Sequence, residues 1–155
     1  AANSEDVSII LTFIKALANY EKLADEVVAD EKSLHTSLFG NIPKAKVLIA
    51  EFDGQPVGFA LYFYNYSTFL AKSGIYLEDL FVLPEYRGQK IGKALLPHLA
   101  KIAIEEKCGR FEWSVLDWNQ PAIDFYRSIG TVGMDEWTVQ RVTGDALVNL
   151  AKQAN

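Results

Sequence analysis

One cysteine and two histidines are all that this 155-residue chain offers to thiolate or imidazole chemistry. Cys108 alone closes no intrachain disulfide and builds no thiolate cluster, and its place near the end of an amphipathic helical stretch reads as packing. His35 and His98 stand apart without ligand spacing, so no metal site is expected. Long apolar runs are missing too: stretches such as Val57 to Tyr64 fall far short of the roughly 20 residues that span a bilayer. No charged-then-apolar leader opens the chain, and the expectation is a cytoplasmic protein with no membrane partner. There is no basic excess either. A formal charge of -5 argues against nucleic acid and suits a cationic small molecule. Gly-x-Gly-x-x-Gly follows no strand, which removes the dinucleotide-binding fingerprint.

What is present is 50% hydrophobic residues, enough for one core at this length, without linkers, repeats or low-complexity tracts. Val7, Ile10, Leu11, Ile14 and Leu17 recur at helical spacing from Asp6 to about Tyr20, and a second helical stretch from about Asp30 to Leu38 stops at Gly40 and Pro43. Lys46 to Phe52 and Val57 to Tyr66 read as strands around Asp53-Gly54, a hairpin signal whose turn Gln55-Pro56 is expected to lengthen. A third strand runs from about Gly74 to Val82. Ile91 to Lys107 puts Ile91, Leu95, Leu99 and Ile102 on one helix face, with Pro97 expected to bend or open it. Arg110 to Leu116 reads as a strand made central by its apolar content. Asn119 is a candidate N-cap for a helix to Ser128, with Pro121 in the first turn and Gly130 at a left-handed end. Trp137 to Val142 gives a last strand and Asp145 to Lys152 a last helix. The order makes a mixed α/β chain in a single domain over 1–155.

The densest chemistry lies in Tyr76-Leu77-Glu78-Asp79-Leu80-Phe81-Val82-Leu83-Pro84-Glu85-Tyr86-Arg87-Gly88-Gln89-Lys90-Ile91-Gly92-Lys93. An apolar strand carrying two acids feeds a glycine-bearing loop that opens a helix. Amides at a helix N-terminus face the positive end of its dipole, so Gly88 and Gly92 would let backbone approach a pyrophosphate while Arg87 and Lys93 add charge. Glycines after a strand are ordinarily no more than a turn. The segment also misses the magnesium-dependent P-loop, since Gly88 to Gly92 is a residue short and Ala94 stands where a hydroxyl is needed. Side-chain alternation sends Glu78 and Asp79 to opposite sheet faces.

Together with Val115-Leu116-Asp117-Trp118-Asn119-Gln120-Pro121-Ala122-Ile123-Asp124-Phe125-Tyr126-Arg127-Ser128-Ile129-Gly130, this stretch resembles the GNAT superfamily of acetyl-CoA-dependent N-acetyltransferases. There an Arg/Gln-x-x-Gly-x-Gly/Ala loop binds the coenzyme pyrophosphate, and a later segment with Asn, Tyr and Gly at the places of Asn119, Tyr126 and Gly130 supplies the general acid. Lys90 departs from it, replacing the central glycine. Ala18-Asn19-Tyr20-Glu21, Tyr62-Phe63-Tyr64, Ile75 to Asp79, Glu85 to Gln89 and Leu116 to Gln120 carry the likeness over nearly the whole chain. They look like the diamine (spermidine/spermine) acetyltransferase-like branch, and Tyr66-Ser67-Thr68-Phe69 is similar to the thialysine N-epsilon-acetyltransferases, where polyamine enzymes carry an acid at the Ser67 position. Family members begin with a short strand ahead of Ala1-Ala2-Asn3-Ser4, and the expectation is that most of it is missing here, by truncation or because the sequence is incomplete.

The resemblance implies an α/β GNAT fold: a mixed, mostly antiparallel sheet flanked by helices and splayed beside the Glu78 strand to take acetyl-CoA. The cofactor-binding set it implies is Leu80, Phe81, Val82, Arg87, Gly88, Gln89, Lys90, Ile91, Gly92, Lys93, Asn119, Pro121, Ala122 and Tyr126. Catalysis falls to Tyr126 as acid to the leaving thiolate and to Glu78 as base or substrate counter-ion. An alkylammonium titrates near 10.4 and must lose a proton before attack, so a carboxylate desolvated in an apolar strand is the expected acceptor. Asp79 reads as structural. The amine is expected among Tyr20, Glu21, Ser67, Thr68, Glu78, Asp135, Glu136 and Trp137. Hydroxyls at Ser67 and Thr68 favour a substrate that brings its own carboxylate, thialysine-like, over spermidine. A homodimer with no nucleic-acid partner is expected. Acetylation of a protein amine and a non-catalytic acyl-CoA sensor are the alternatives.

Overall fold

The computed structural model describes residues 1–88 and 90–154. Residues 1–114 form one compact unit and residues 115–155 a second. In the first, α1 (Val7–Tyr20) follows a short turn capped by Asn3 and Asp6, each side chain accepting a backbone N–H at 2.8 Å. Asp30 caps α2 (Glu31–Phe39): its Oδ1 accepts the Ser33 amide at 2.7 Å, and Ser33 Oγ accepts the Asp30 amide in return. The strands β1 (Lys46–Phe52), β2 (Gln55–Ser67) and β3 (Lys72–Val82) form an antiparallel meander, and β4 (Phe111–Trp113) adds to β3 in parallel after α3 (Ile91–Glu105). This is the mixed, mostly antiparallel sheet the resemblance implies.

The core sits where α1 and α2 cover one face of that sheet. Val7, Ile10 and Phe13 meet Leu34, Leu38, Val47, Phe59 and Phe81, and the Phe13 ring stacks on Phe59 at 5.7 Å and leans on Phe81 at 6.2 Å. Leu95, Leu96, Leu99 and Ala103 form the buried stripe of α3. That helix runs on through the exposed Pro97, so the loss of one amide does not break it. At the outer edge of β1 the Ala2 amide donates to the Val47 carbonyl at 2.9 Å.

Three local expectations change. Phe52 pairs with Gln55, so Asp53-Gly54 make the turn alone, with φ of 50° and 75°; Gln55-Pro56 belong to β2. These are the angles that a two-residue hairpin with matching twist needs. Pro56 is accommodated by a bulge, the pairing stepping from Ala50↔Gly58 to Glu51↔Pro56. The Arg110 to Leu116 strand shrinks to Phe111–Trp113 and lies at the end of the order β1-β2-β3-β4 rather than in the middle. In the second unit, α4 (Gln120–Ser128) and α5 (Gly144–Ala151) are present, but residues 137–142 form no strand. Alternation over 137–142 supplies a pattern without a neighbouring strand to pair with, and the Trp137 amide closes a turn onto the Met134 carbonyl instead.

Candidate active site

The site begins with a change of phase in β3. The Ile75 amide donates to the Arg110 carbonyl at 3.1 Å, toward β4, whereas the Leu83 amide donates to the Val57 carbonyl at 2.8 Å, toward β2. Successive amides of a strand alternate sides, so two odd-numbered residues can face opposite ways only across one extra residue. That residue is Glu78: the register passes from Tyr62↔Leu77 to Leu61↔Asp79. Beyond it the amides of Leu80 and Val82 turn away from β2. On that side β4 has already ended, since its last pair is Leu77↔Trp113. The sheet therefore offers Leu80 and Val82 N–H groups along an edge with no strand beside it among the described residues. Phe81, expected with them, turns its amide to β2 and its ring into the core, 5% exposed.

The same extra residue rearranges the acids. Glu78 is exposed rather than desolvated. Asp79, read as structural on the expected opposite face, instead lines a cavity of about 150 Å³ with Glu21, Glu26 and the aliphatic side chains of Ile14, Leu17 and Leu23. Burial, then the charges of Glu78 and Glu21, push the Asp79 carboxyl from 3.8 up to about 6. Burial also raises the Glu21 carboxyl, with Glu78 adding to it. Asp79 and Glu21 thus meet on a pocket wall that Glu26 shares, with Glu78 close enough to raise both. Sequence reading did not bring Asp79 and Glu26 here: nothing in Leu77-Glu78-Asp79-Leu80 announces a bulge, and Glu26 ends a single 3-10 turn, Ala24–Glu26, after α1.

The loop closes the other end of the edge. Arg87 Nε donates to the Val82 carbonyl at 2.9 Å, and its guanidinium lies 5.1 Å from the centre of the Tyr20 ring and 5.4 Å from that of Phe81. Gly88 has φ of 85° and Lys90 φ of 62°, so Lys90 adopts at the N-cap of α3 the left-handed backbone that the family's glycine would take freely. Gln89 lies outside the described residues. Ile91, Gly92 and Lys93 form the first turn of α3, at the positive end of its dipole. No acid sits in that turn. A Cβ on Gly92 would touch Val82 Cγ2 at 3.5 Å, an ordinary contact.

Other expected residues lie elsewhere. Ser67 is 8% exposed and its Oγ accepts the Leu70 amide at 3.2 Å, fixing the β2–β3 turn. Ser67 lies six residue steps along β2 from Leu61, the partner of Asp79, so Ser67 and Thr68 stand roughly 20 Å from the acidic pocket. Their hydroxyls are not brought to it. In the second unit Asn119 stands at the N-cap of α4, Pro121 and Ala122 in its first turn, and Tyr126 half-buried in its last, its carbonyl accepting the amides of Ile129 and Thr131. Gly130 takes the expected left-handed conformation, φ 95°. Asp135, Glu136 and Trp137 are exposed on the following loop.

Residues 14–131 match the model of the acetyltransferase (GNAT) family. The chain is 40% identical over 161 residues to a thialysine N-epsilon-acetyltransferase of Sus scrofa, covering 97% of this chain and 94% of that protein. It is 33% identical over 196 residues to an L-ornithine N5-acetyltransferase of Arabidopsis thaliana, covering 97% and 86%. A solved integron cassette protein from the mobile metagenome of V. cholerae superposes with a TM-score of 0.78 at 32% identity over 97% of this chain and 91% of that one. With a strand edge left open beside a phosphate-ready helix start, and with likeness over nearly its whole length, the chain belongs to the GNAT family and is an acetyltransferase.

Proposed function

We propose that the protein transfers the acetyl group of acetyl-CoA directly to a primary amine of a small basic amino acid, thialysine- or lysine-like, or of a polyamine. One observation carries the substrate class: Glu21, Glu26 and Asp79 converge on an aliphatic-walled cavity at the open end of β3. Methylenes fit such walls and an ammonium fits such a carboxylate set. Relatives named thialysine and ornithine acetyltransferases support a basic amino acid, and one named spermidine/spermine acetyltransferase-like supports the polyamine.

Acetyl-CoA supplies the reactive thioester. The residues present fit it: Leu80 and Val82 offer amides along the open edge, and the acid-free start of α3 suits a pyrophosphate. Asp79, half-protonated near pH 6, takes the ammonium proton, with Glu78 beside it as counter-charge or relay. Freed of its proton, the amine nitrogen forms the amide bond as the carbon–sulfur bond breaks. Tyr126 returns a proton to the departing sulfur, the role the family resemblance gives it. A cytoplasmic homodimer without nucleic-acid or membrane partners is part of the same reading, and sedimentation equilibrium checks the dimer.

The deciding experiment is acetyl-CoA consumption over lysine analogues, diamines, polyamines and neutral amines of equal length. Basic amines turn over and neutral ones do not. Thialysine in competition with spermidine at subsaturating concentration is the better substrate. Equal turnover of neutral amines removes the acidic pocket from recognition.

A further inference from the structure

Arg87 belongs by its position to the coenzyme loop, yet its contacts run to the other side of the site. Nε–H donates to the Val82 carbonyl at 2.9 Å, at the last residue of β3. The guanidinium carbon sits 5.1 Å from the centre of the Tyr20 ring and 5.4 Å from that of Phe81, within the range of cation–π attraction. Tyr20 is the final residue of α1, and Glu21, next to it, lines the acidic cavity opposite Asp79. α1 has no basic residue in its last turn to hold that end by charge. Beyond it the chain reverses at once: Lys22 takes φ of 62°, and the Glu21 and Leu23 amides fall back on the Leu17 and Ala18 carbonyls. Those backbone bonds shape the turn, and the Tyr20 ring carries its contact to the loop across the site.

We propose that Arg87 is a positioning residue for the amine: by stacking on Tyr20 while bonded to Val82, it clamps the Tyr20–Glu21 end of α1 to the end of β3 and so sets where the Glu21 carboxylate stands. The proposal rests on the amine occupying the acidic cavity. Its consequence is a mechanical link between two halves of one site. The loop that opens α3 and the wall that meets the amine share a single side chain, so ordering the loop also orders the wall.

Arg87→Lys is the discriminating variant, because it keeps a positive charge for a phosphate while losing the planar face and the Nε–H. In the free protein, exchange of the Glu21, Lys22 and Leu23 amides speeds up by about tenfold or more while that of Phe13 in the middle of α1 is unchanged. In turnover, KM for thialysine rises about tenfold, and the calorimetric Kd for acetyl-CoA stays within about twofold. Tyr20→Leu reproduces both results. The double variant is no worse than the weaker single one, because both remove one contact. Unchanged exchange, a loss confined to acetyl-CoA affinity, or additive losses in the double variant each overturn the clamp. Should the parent acetylate no basic amine, the substrate reading fails, while the exchange measurement still decides whether the clamp exists.

Discussion

Two acids adjacent in the chain divide the chemistry according to their surroundings. Glu78 is exposed, whereas partial burial and the charges of Glu78 and Glu21 push the Asp79 carboxyl up to about 6. The acidic limb of kcat/KM is therefore expected near pH 6 and to disappear in Asp79→Asn together with most of the rate. Stability gives a second reading of the same group. Its folded value lies above the ordinary 3.8, so folding favours the protonated acid: the cost is absent below that value, grows as pH rises toward about 6, and is complete above. Asp79→Asn should raise the thermal midpoint near neutrality and leave it unchanged near pH 4, a pair of scans that fails if both shifts are equal. Tyr126→Phe keeps a packed ring without a donor, and turnover is expected to drop about 100- to 10,000-fold with acetyl-CoA affinity retained. Ser67→Ala tests a different role. It removes the acceptor of the Leu70 amide and is expected to lower stability by about 1 kcal/mol in denaturant titration.

Among elements, α3 and β3 are the two assigned to the coenzyme in the proposed reading, and each was legible in the sequence to a different depth. Arg87, Gly88 and Gly92 announced the helix start because a glycine pattern is a local property of the backbone. Lys90 at φ 62° was not legible, since a lysine there reads as a missing glycine rather than as a left-handed residue in the same place. β3 was located to within two residues, yet the extra residue at Glu78, which sets Asp79 opposite Leu61, was not legible. Bulges depend on the partner strand and leave no mark on one strand's own pattern. The 137–142 stretch shows the converse, an alternating pattern with no strand. Gly92→Asp tests the α3 element: a carboxylate in the first turn suits the helix dipole, and its Cβ has room beside Val82, so the protein stays folded. Acetyl-CoA binding, by contrast, is expected to weaken by about tenfold or more, roughly 1.4 kcal/mol.

For the whole molecule, fold and family were legible because they are spread over many residues: periodicity in α1 and α3, turn chemistry at Asp53-Gly54, and motif spacing across residues 76–130. The pocket was not, because Glu21, Glu26 and Asp79 come from segments far apart in the chain and meet only after packing. The three-residue pairing of β3 with β4 carries a consequence in time. The β1–β2–β3 meander joins neighbours through short turns, whereas the parallel contact of Ile75 to Leu77 with Phe111 to Trp113 must await a crossover through all of α3. Loop-closure entropy predicts that this contact forms late in folding. Phe111→Ala is expected to speed unfolding while barely changing the folding rate, and Gly54→Val, which forces a branched side chain to φ 75°, to slow folding itself. The edge left for the coenzyme would then be the last part of the sheet to take shape and the first to fray.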